Sequence, residues 1–334
     1  MQLPGSGNRH FVLYINAKTY PTERVQIMKK IDLSNNIAFF RGAVAPFVRM
    51  NKELQEFYSS IESWKIRSNC PSGMKIVMQS NAEKLQIAVE FGSAARQVFT
   101  TDVEVDGSIT TFDGPGTHSI ELAPGMKNII IYPPHLVELA KFEVSVNADA
   151  VVEPVADTQS KLLICGDSIL QGMTCSSPAK ASVVLTSKAL NMHLHNTSVG
   201  GALMNPIPVK ATLDMGGAND IAVVGFGAND SAQQKDVALF RSQVRQTLEY
   251  LSSFPGKSII ITPIPSTEAR VEEPRPLYCS IIREEHAAFP KVKLLEGESF
   301  YPANNPDLFV DGLHPNDEGM KIYADGLIKA ISEL

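Results

Sequence analysis

Four short blocks hold the side chains that could do chemistry. The first is Gly166-Asp167-Ser168, which follows the apolar run KLLIC (161–165) and continues into Ile169, Leu170, Gln171 and Gly172. Glycine permits a tight turn at such a junction. A serine there presents its Oγ at the top of a sheet, with its own N–H free at a helix N-terminus. The second block, Thr197-Ser198-Val199-Gly200-Gly201, follows LHN (194–196), and its glycines let backbone N–H groups face a ligand. The third, Gly227-Ala228-Asn229-Asp230, follows IAVVGF (221–226). Its Asn amide can donate to a developing oxyanion, and Asp230 can brace the loop by accepting backbone N–H groups. The fourth, Asp311-Gly312-Leu313-His314-Pro315-Asn316, precedes the last helical stretch. A carboxylate three residues before a histidine can accept from Nδ1–H, fix the tautomer and leave Nε2 free as a base. Taken singly, these are an N-cap serine, a plain turn, an Asx-turn and a loop histidine. Taken together, they are a nucleophile (Ser168), a general base (His314), its orienting acid (Asp311) and three oxyanion donors (Ser168 N–H, Gly201 N–H and the Asn229 amide). Each lies at the end of a separate apolar run, and the set meets the needs of acyl transfer in the order Ser…Asp…His.

The elements that must position these groups change character near residue 155. From Gly73 to Val146 the chain reads as short alternating strands: MKIVMQS, LQIAVEFG, RQVFTTDVEVDG, HSIELAP, NIIIYPP and VELAKFEVSV. Turn formers separate them, among them Asp106-Gly107 and Asp113-Gly114-Pro115-Gly116. This predicts an antiparallel, jelly-roll-like β-sandwich. Lys52 to Ile66 spaces Leu54, Phe57, Tyr58, Ile61 and Trp64 as a helix would, packed on the sandwich or leading into it, with Trp64 in a core. From Lys161 onward, buried-type runs alternate with helical stretches near 179–190, 236–253, 276–288 and 317–333. That is the grammar of a parallel sheet covered on both faces. In such sheets ligands bind beyond the carboxyl ends of the strands, where the four blocks fall. The expected division is a β-sandwich over 1–155 and an α/β domain over 156–334, with 152–160 as linker.

Composition narrows the function classes. The chain has 334 residues, 44% of them hydrophobic, a fraction that suits globular domains and not disorder. Net charge is −6 and no basic stripe is present, so nucleic acid is not an expected partner. No apolar run reaches the length of a membrane span. The cysteines Cys70, Cys165, Cys175 and Cys279 form no CxxC pair, and none has a closely spaced His, so no structural zinc site is expected. No cofactor is expected. Cys165 reads as a core thiol, and Cys175 lies in the loop after the nucleophile. His193 and His195 alternate along one strand, so they face opposite ways and cannot share a metal. Arg270, Glu272, Glu273 and Arg275 read as a solvated loop. Asp102 and Asp106 read as turn or edge residues. The first residues, Met1–Asn16, show no basic segment followed by an apolar core. The expected compartment is the cytoplasm, or outside the cell if a leader has been removed.

On the blocks GDSILQG, NTSVGG, GAND and DGLHPN, the segment 161–334 resembles the SGNH hydrolase (GDSL-like esterase) superfamily. The resemblance implies a flavodoxin-like three-layer α/β/α fold, no metal and an acyl-enzyme mechanism. It implies Ser168 as nucleophile, Asp311 with His314 as the acid–base pair, and Gly201 and Asn229 as oxyanion donors. A sandwich before such a domain is similar to carbohydrate esterases with an N-terminal jelly roll, and to an acyltransferase of antibiotic tailoring. The expected function is hydrolysis of short-chain, acetyl-type esters on a carbohydrate or another small molecule. An acyltransferase using the same triad, a lipase or thioesterase for longer acyl chains, and a non-catalytic carbohydrate-binding protein are the alternatives.

Overall fold

The computed structural model describes residues 27–334. The Met1–Asn16 stretch, read above for a leader, lies outside the described residues. The first ten strands are β1 (Met28–Lys30), β2 (Phe40–Arg41), β3 (Lys75–Ser80), β4 (Lys84–Ala94), β5 (Thr100–Val105), β6 (Ser108–Asp113), β7 (Gly116–Glu121), β8 (Lys127–Tyr132), β9 (Val137–Asn147) and β10 (Val152–Pro154). They form two antiparallel sheets, one in the order β1-β9-β4-β7 and the other β10-β3-β8-β5-β6 with β2 also on β3. Alternation puts Leu85, Ile87 and Val89 of one sheet against Ile76, Met78, Ile129 and Ile131 of the other in a shared apolar core.

The remaining strands are β11 (Lys161–Gly166), β12 (His193–Asn196), β13 (Ile221–Gly225), β14 (Lys257–Ile261) and β15 (Lys293–Leu295). They make one parallel sheet in the order β12-β11-β13-β14-β15, the flavodoxin-like arrangement. Successive residues of β11 serve opposite faces. Leu162 and Ile164 enter one apolar cluster and Leu163 and Cys165 the other, which is why the run is apolar throughout. The helices are α1 (Lys52–Tyr58), α2 (Glu62–Asn69), α3 (Ser168–Gln171), α4 (Ser182–Ala189), α5 (Pro206–Leu213), α6 (Ala228–Ala232), α7 (Val237–Ser253), α8 (Ala269–Glu272), α9 (Arg275–His286), α10 (Gly297–Phe300) and α11 (Asp317–Ser332). Helices α4 and α11 cover one face, and α5, α7 and α9 the other.

Several expectations need correction. The segment 52–66 is two helices, broken where Ser59 and Ser60 donate back to Glu56 O and Phe57 O. Helix α2 meets β4 and β9 of the sandwich, as expected, but α1 packs on the α/β domain instead. Leu54 and Tyr58 are fully buried among Leu163, Val209 and Val224 of the α/β domain. Burying Leu54 alone contributes about 2 kcal/mol. Residues 152–160 are not simply a linker, because Val152–Pro154 pairs antiparallel with Met78–Ser80. The run 96–107 is a strand only over Thr100–Val105, and Asp106-Gly107 turns the chain into β6. The residues of β6 are mostly exposed, so no apolar alternation marks that strand. Asp102 is no edge residue. It is fully buried, accepting from Thr111 Oγ1 (2.6 Å) and from Ala179 N–H (2.8 Å), which ties the sandwich to the α/β domain.

Candidate active site

The chain enters the parallel sheet at β11 and then moves to β12 on one side and β13 on the other. The ends of these three adjacent strands therefore bring three of the four blocks together, with Ser168 in the middle, and the connection is a topological switch point. Gly166 is required at the end of β11: a Cβ there would stand 2.5 Å from Gly225 O and 2.5 Å from Leu170. Asp167 caps α3 by accepting from Ile169 N–H (3.0 Å). Burial pushes its carboxyl up to about 7, although that N–H favours the charged form.

Ser168 is the first residue of α3, so its N–H is one of the helix's orphan donors, and it has no hydrogen-bond partner among the described residues. Its Oγ lies 2.8 Å from His314 Nε2. His314 Nδ1 in turn lies 2.8 Å and 3.0 Å from the two carboxylate oxygens of Asp311. Asp311 also accepts the His314 backbone N–H (2.9 Å) and the Leu313 N–H (3.2 Å), so one carboxylate shapes the loop and orients the ring. Ser266 Oγ and Thr267 N–H brace that loop by donating to Gly312 O at 2.7 Å and 2.8 Å. Burial lowers the His314 pKa and outweighs the opposite pull of Asp311, so the imidazole is neutral near pH 7. Burial raises Asp311, but the hydrogen bonds from His314 win and hold it below the ordinary aspartate value.

The glycine block after β12 differentiates its two members. Gly200 N–H is taken by Gln171 Oε1 at 2.6 Å. Gly201 N–H has no partner among the described residues, and φ at Gly201 is +78°, a conformation that glycine tolerates best. Asn229 stands in the first turn of α6, half-buried, with Nδ2 donating to Ala202 O (3.1 Å) and its other N–H uncommitted. Asp230 is fully buried and accepts from Met204 N–H at 3.0 Å and Lys235 Nζ at 3.0 Å, which ties the segment just after the second block to the third. The geometry thus gathers Ser168, His314, Asp311, Gly201 and Asn229 at one edge of one sheet.

Three residues of the first domain stand at this site with no sequence signal to announce them. Trp64, expected in a core, is half-buried. It stacks on Phe57 with centroids 6.1 Å apart, and its Nε1 is 3.5 Å from where a Cβ on Gly201 would be. Arg67 donates from Nη1 to Gly200 O at 2.8 Å. Arg96 Nη2 lies 3.7 Å from Asp311 Oδ2. Behind them, the buried Arg49 donates to the carbonyls of Cys70 (2.7 Å), Asn196 (2.8 Å), Ser198 (3.1 Å) and Arg67 (2.7 Å). These side chains sit in helices or loops without a motif, and only the folded packing brings them to the glycine loop and Asp311.

Other candidates are placed elsewhere. Cys165 is buried in β11, where burial pushes its thiol up to about 11. Cys175 is buried beside His135, with Sγ 3.2 Å from Nε2, and does not reach the serine. His193 Nε2 accepts from Gly42 N–H (2.7 Å), and His195 Nε2 meets Arg49 O (2.7 Å). Arg275 is no solvated loop residue: it is buried and pairs with both carboxylate oxygens of Glu272 at 2.7 Å. Among the described residues, no group of three or more His, Cys, Asp or Glu is arranged to hold a metal ion. None of the described helices is long and apolar enough to cross a membrane.

Comparison with known proteins agrees with this architecture. Residues 164–322 match the GDSL-like Lipase/Acylhydrolase family. No match to a curated protein was found. A solved structure from Bacteroides ovatus, described as a GDSL-like lipase, superimposes with TM-score 0.75 at 18% identity, covering 92% of this chain and 98% of its own. A salicylyl-acyltransferase from a tetracycline biosynthetic pathway gives TM-score 0.72 at 19% identity, with 88% and 94% covered. A family two carbohydrate esterase from Cellvibrio japonicus gives 0.60 at 13% identity, with 92% and 98% covered. Similarity at these identities establishes the fold.

Proposed function

We propose that this protein, whose residues 164–322 match the GDSL-like Lipase/Acylhydrolase family, is a serine esterase that removes short acyl groups, acetyl above all, from carbohydrate or other small-molecule esters. The observation that carries this reading is the continuous chain Asp311–His314–Ser168, with 2.8 Å at each of its two links. The acetyl and carbohydrate assignment draws further support from likeness in fold to the carbohydrate esterase.

The reaction follows from the geometry. Ser168 Oγ attacks the ester carbonyl as its proton passes to His314 Nε2, and Asp311 stabilises the imidazolium that results. The carbonyl oxygen, now an oxyanion, is held by Ser168 N–H, Gly201 N–H and the Asn229 amide. His314 gives its proton to the departing alcohol, which leaves the acyl-enzyme. A water then attacks the acyl carbon, its proton goes to His314, and collapse of the second tetrahedral state returns that proton to Ser168 Oγ and frees the acid.

A second reading uses the same acyl-enzyme with an acceptor alcohol in place of water. Likeness in fold to the salicylyl-acyltransferase favours considering it. One experiment separates these readings: steady-state turnover of p-nitrophenyl acetate, butyrate and octanoate by wild type and Ser168→Ala, followed by acetylated sugars. Serine-dependent activity that falls with chain length supports the acetyl esterase. Preference for octanoate moves the function to lipids or thioesters. Slow hydrolysis that an added alcohol converts into efficient transfer supports the acyltransferase, and an intact Ser168→Ala rate would remove the mechanism.

A further inference from the structure

One oxyanion donor, Gly201 N–H, sits on a peptide that nothing in its own sequence holds still. The peptide that joins Gly200 to Gly201 has a glycine on each side, so its plane turns over more easily than most. In a planar trans peptide the carbonyl of one residue and the N–H of the next point in opposite directions. A flip would withdraw Gly201 N–H and present Gly200 O, a repulsive group, to the developing charge.

One hydrogen bond opposes that flip directly, from Arg67 to Gly200 O, and two more close a circuit that holds its partners in place. Gly200 N–H donates to Gln171 Oε1 (2.6 Å). Gly200 O accepts from Arg67 Nη1 (2.8 Å). Arg67 O accepts from Gln171 Nε2 (2.9 Å). Gln171 ends the short helix that begins at Ser168, so the circuit joins the nucleophile's helix, the glycine loop and α2 of the first domain. Arg67 O also accepts from Arg49 Nη2 (2.7 Å), which anchors α2 from behind. Among the described residues, Arg67 has no carboxylate partner. Its charge is therefore directed at Gly200 O, and a charge-assisted bond there polarises the peptide and strengthens Gly201 N–H as a donor.

We propose that Arg67 is a positioning residue of the oxyanion hole: it locks the Gly200-Gly201 peptide with Gly201 N–H available, so the first domain completes the catalytic site of the second. This rests on the esterase reading above. It does not make Arg67 a catalytic residue, because it acts through Gly200 O.

The test uses the full chain. Arg67→Met keeps the hydrocarbon stem and removes the donor and the charge. With p-nitrophenyl acetate, kcat should fall about tenfold to a hundredfold, less than the 10²–10³-fold of a lost direct donor, with KM within about twofold. Arg67→Lys should recover part of the loss, because an ammonium can still donate to Gly200 O. If Arg67→Met fails to fold, Gln171→Leu opens the circuit from the other domain and must also lower kcat with KM little changed. A wild-type kcat in a folded variant overturns the proposal. So does a raised KM with kcat unchanged, which would make Arg67 a substrate-binding group. The Gly201 amide resonance, followed by NMR in a Ser168→Ala background, reads the peptide without turnover. Arg67→Met should shift it, and an unmoved resonance overturns the proposal even if no ester proves to be a substrate. Absence of serine-dependent hydrolysis in the wild type would instead count against the esterase reading alone.

Discussion

Asp311 and His314 meet through two routes at once. The carboxylate accepts the imidazole Nδ1 proton at 2.8 Å, and it accepts the backbone N–H of the same histidine at 2.9 Å. The second contact caps the loop whose end carries the first, so the ring's height and its tautomer share one cause. Asp311→Asn keeps the loop contact and changes what Nδ1 faces. It should lower kcat by about 10³–10⁴-fold with an unfolding midpoint close to wild type. Asp311→Ala, which loses both contacts, should show the same rate loss together with a lower midpoint. Esterase kinetics and thermal unfolding of the two variants check this, and a fully active Asp311→Asn would contradict it.

The pH profile carries a signed expectation. His314 accepts a proton only when neutral, and burial lowers its pKa below the ordinary 6.5. Thus kcat/KM should rise with pH through a midpoint below 6.5 and level off above it. Asp311 pulls the histidine upward, so Asp311→Asn should move that midpoint further down while lowering the plateau. Asp167 is pushed up to about 7 by burial and borders Ser168. Asp167→Asn keeps an N-cap and removes that titration, so the profile is best compared in both backgrounds. A midpoint above 7 in Asp167→Asn would contradict the assignment of His314.

Arg49 is a buried cation that serves four carbonyls, from Cys70, Asn196, Ser198 and Arg67. Burial lowers its pKa to about 10, which leaves it charged at neutral pH. Arg49→Met fills the space and strands those carbonyls, at a cost on the order of 3 kcal/mol. Denaturant unfolding should show that loss, and esterase activity should fall with it, because Arg49 holds both Arg67 and the segment before the glycine loop. A change under 1 kcal/mol would mean that water replaces the guanidinium at little cost.

The parts of the site that the sequence announced are those set by local chain geometry. Ser168, Gly201 and Asn229 each follow an apolar run, and the end of a parallel strand is where such a residue must emerge. Asp311 and His314 share one turn, so their relation is short-range as well. Arg67, Trp64 and Arg96 were not legible for the opposite reason. Their roles come from contacts made across more than a hundred residues, and arginine or tryptophan in a short helix or loop has no local mark of where it will point. The same limit explains α1. Its apolar spacing was clear, but spacing says which face is buried and not which domain buries it. β6 escaped because exposed edge strands need no alternation.

The placement of α1 also bears on how the chain matures. Leu54 and Tyr58, with Met50 just before them, complete an apolar cluster whose remaining buried members run from Leu163 to Val292. A ribosome adding about 5–20 residues per second needs many seconds to supply those partners. During that interval the sandwich can assemble from strands already made, while α1 waits with its apolar face uncovered. Chaperone capture or aggregation during synthesis would act on that waiting helix. A shift in translation speed between codons 60 and 290 is therefore expected to alter the yield of soluble protein more than an equal shift near the C-terminus.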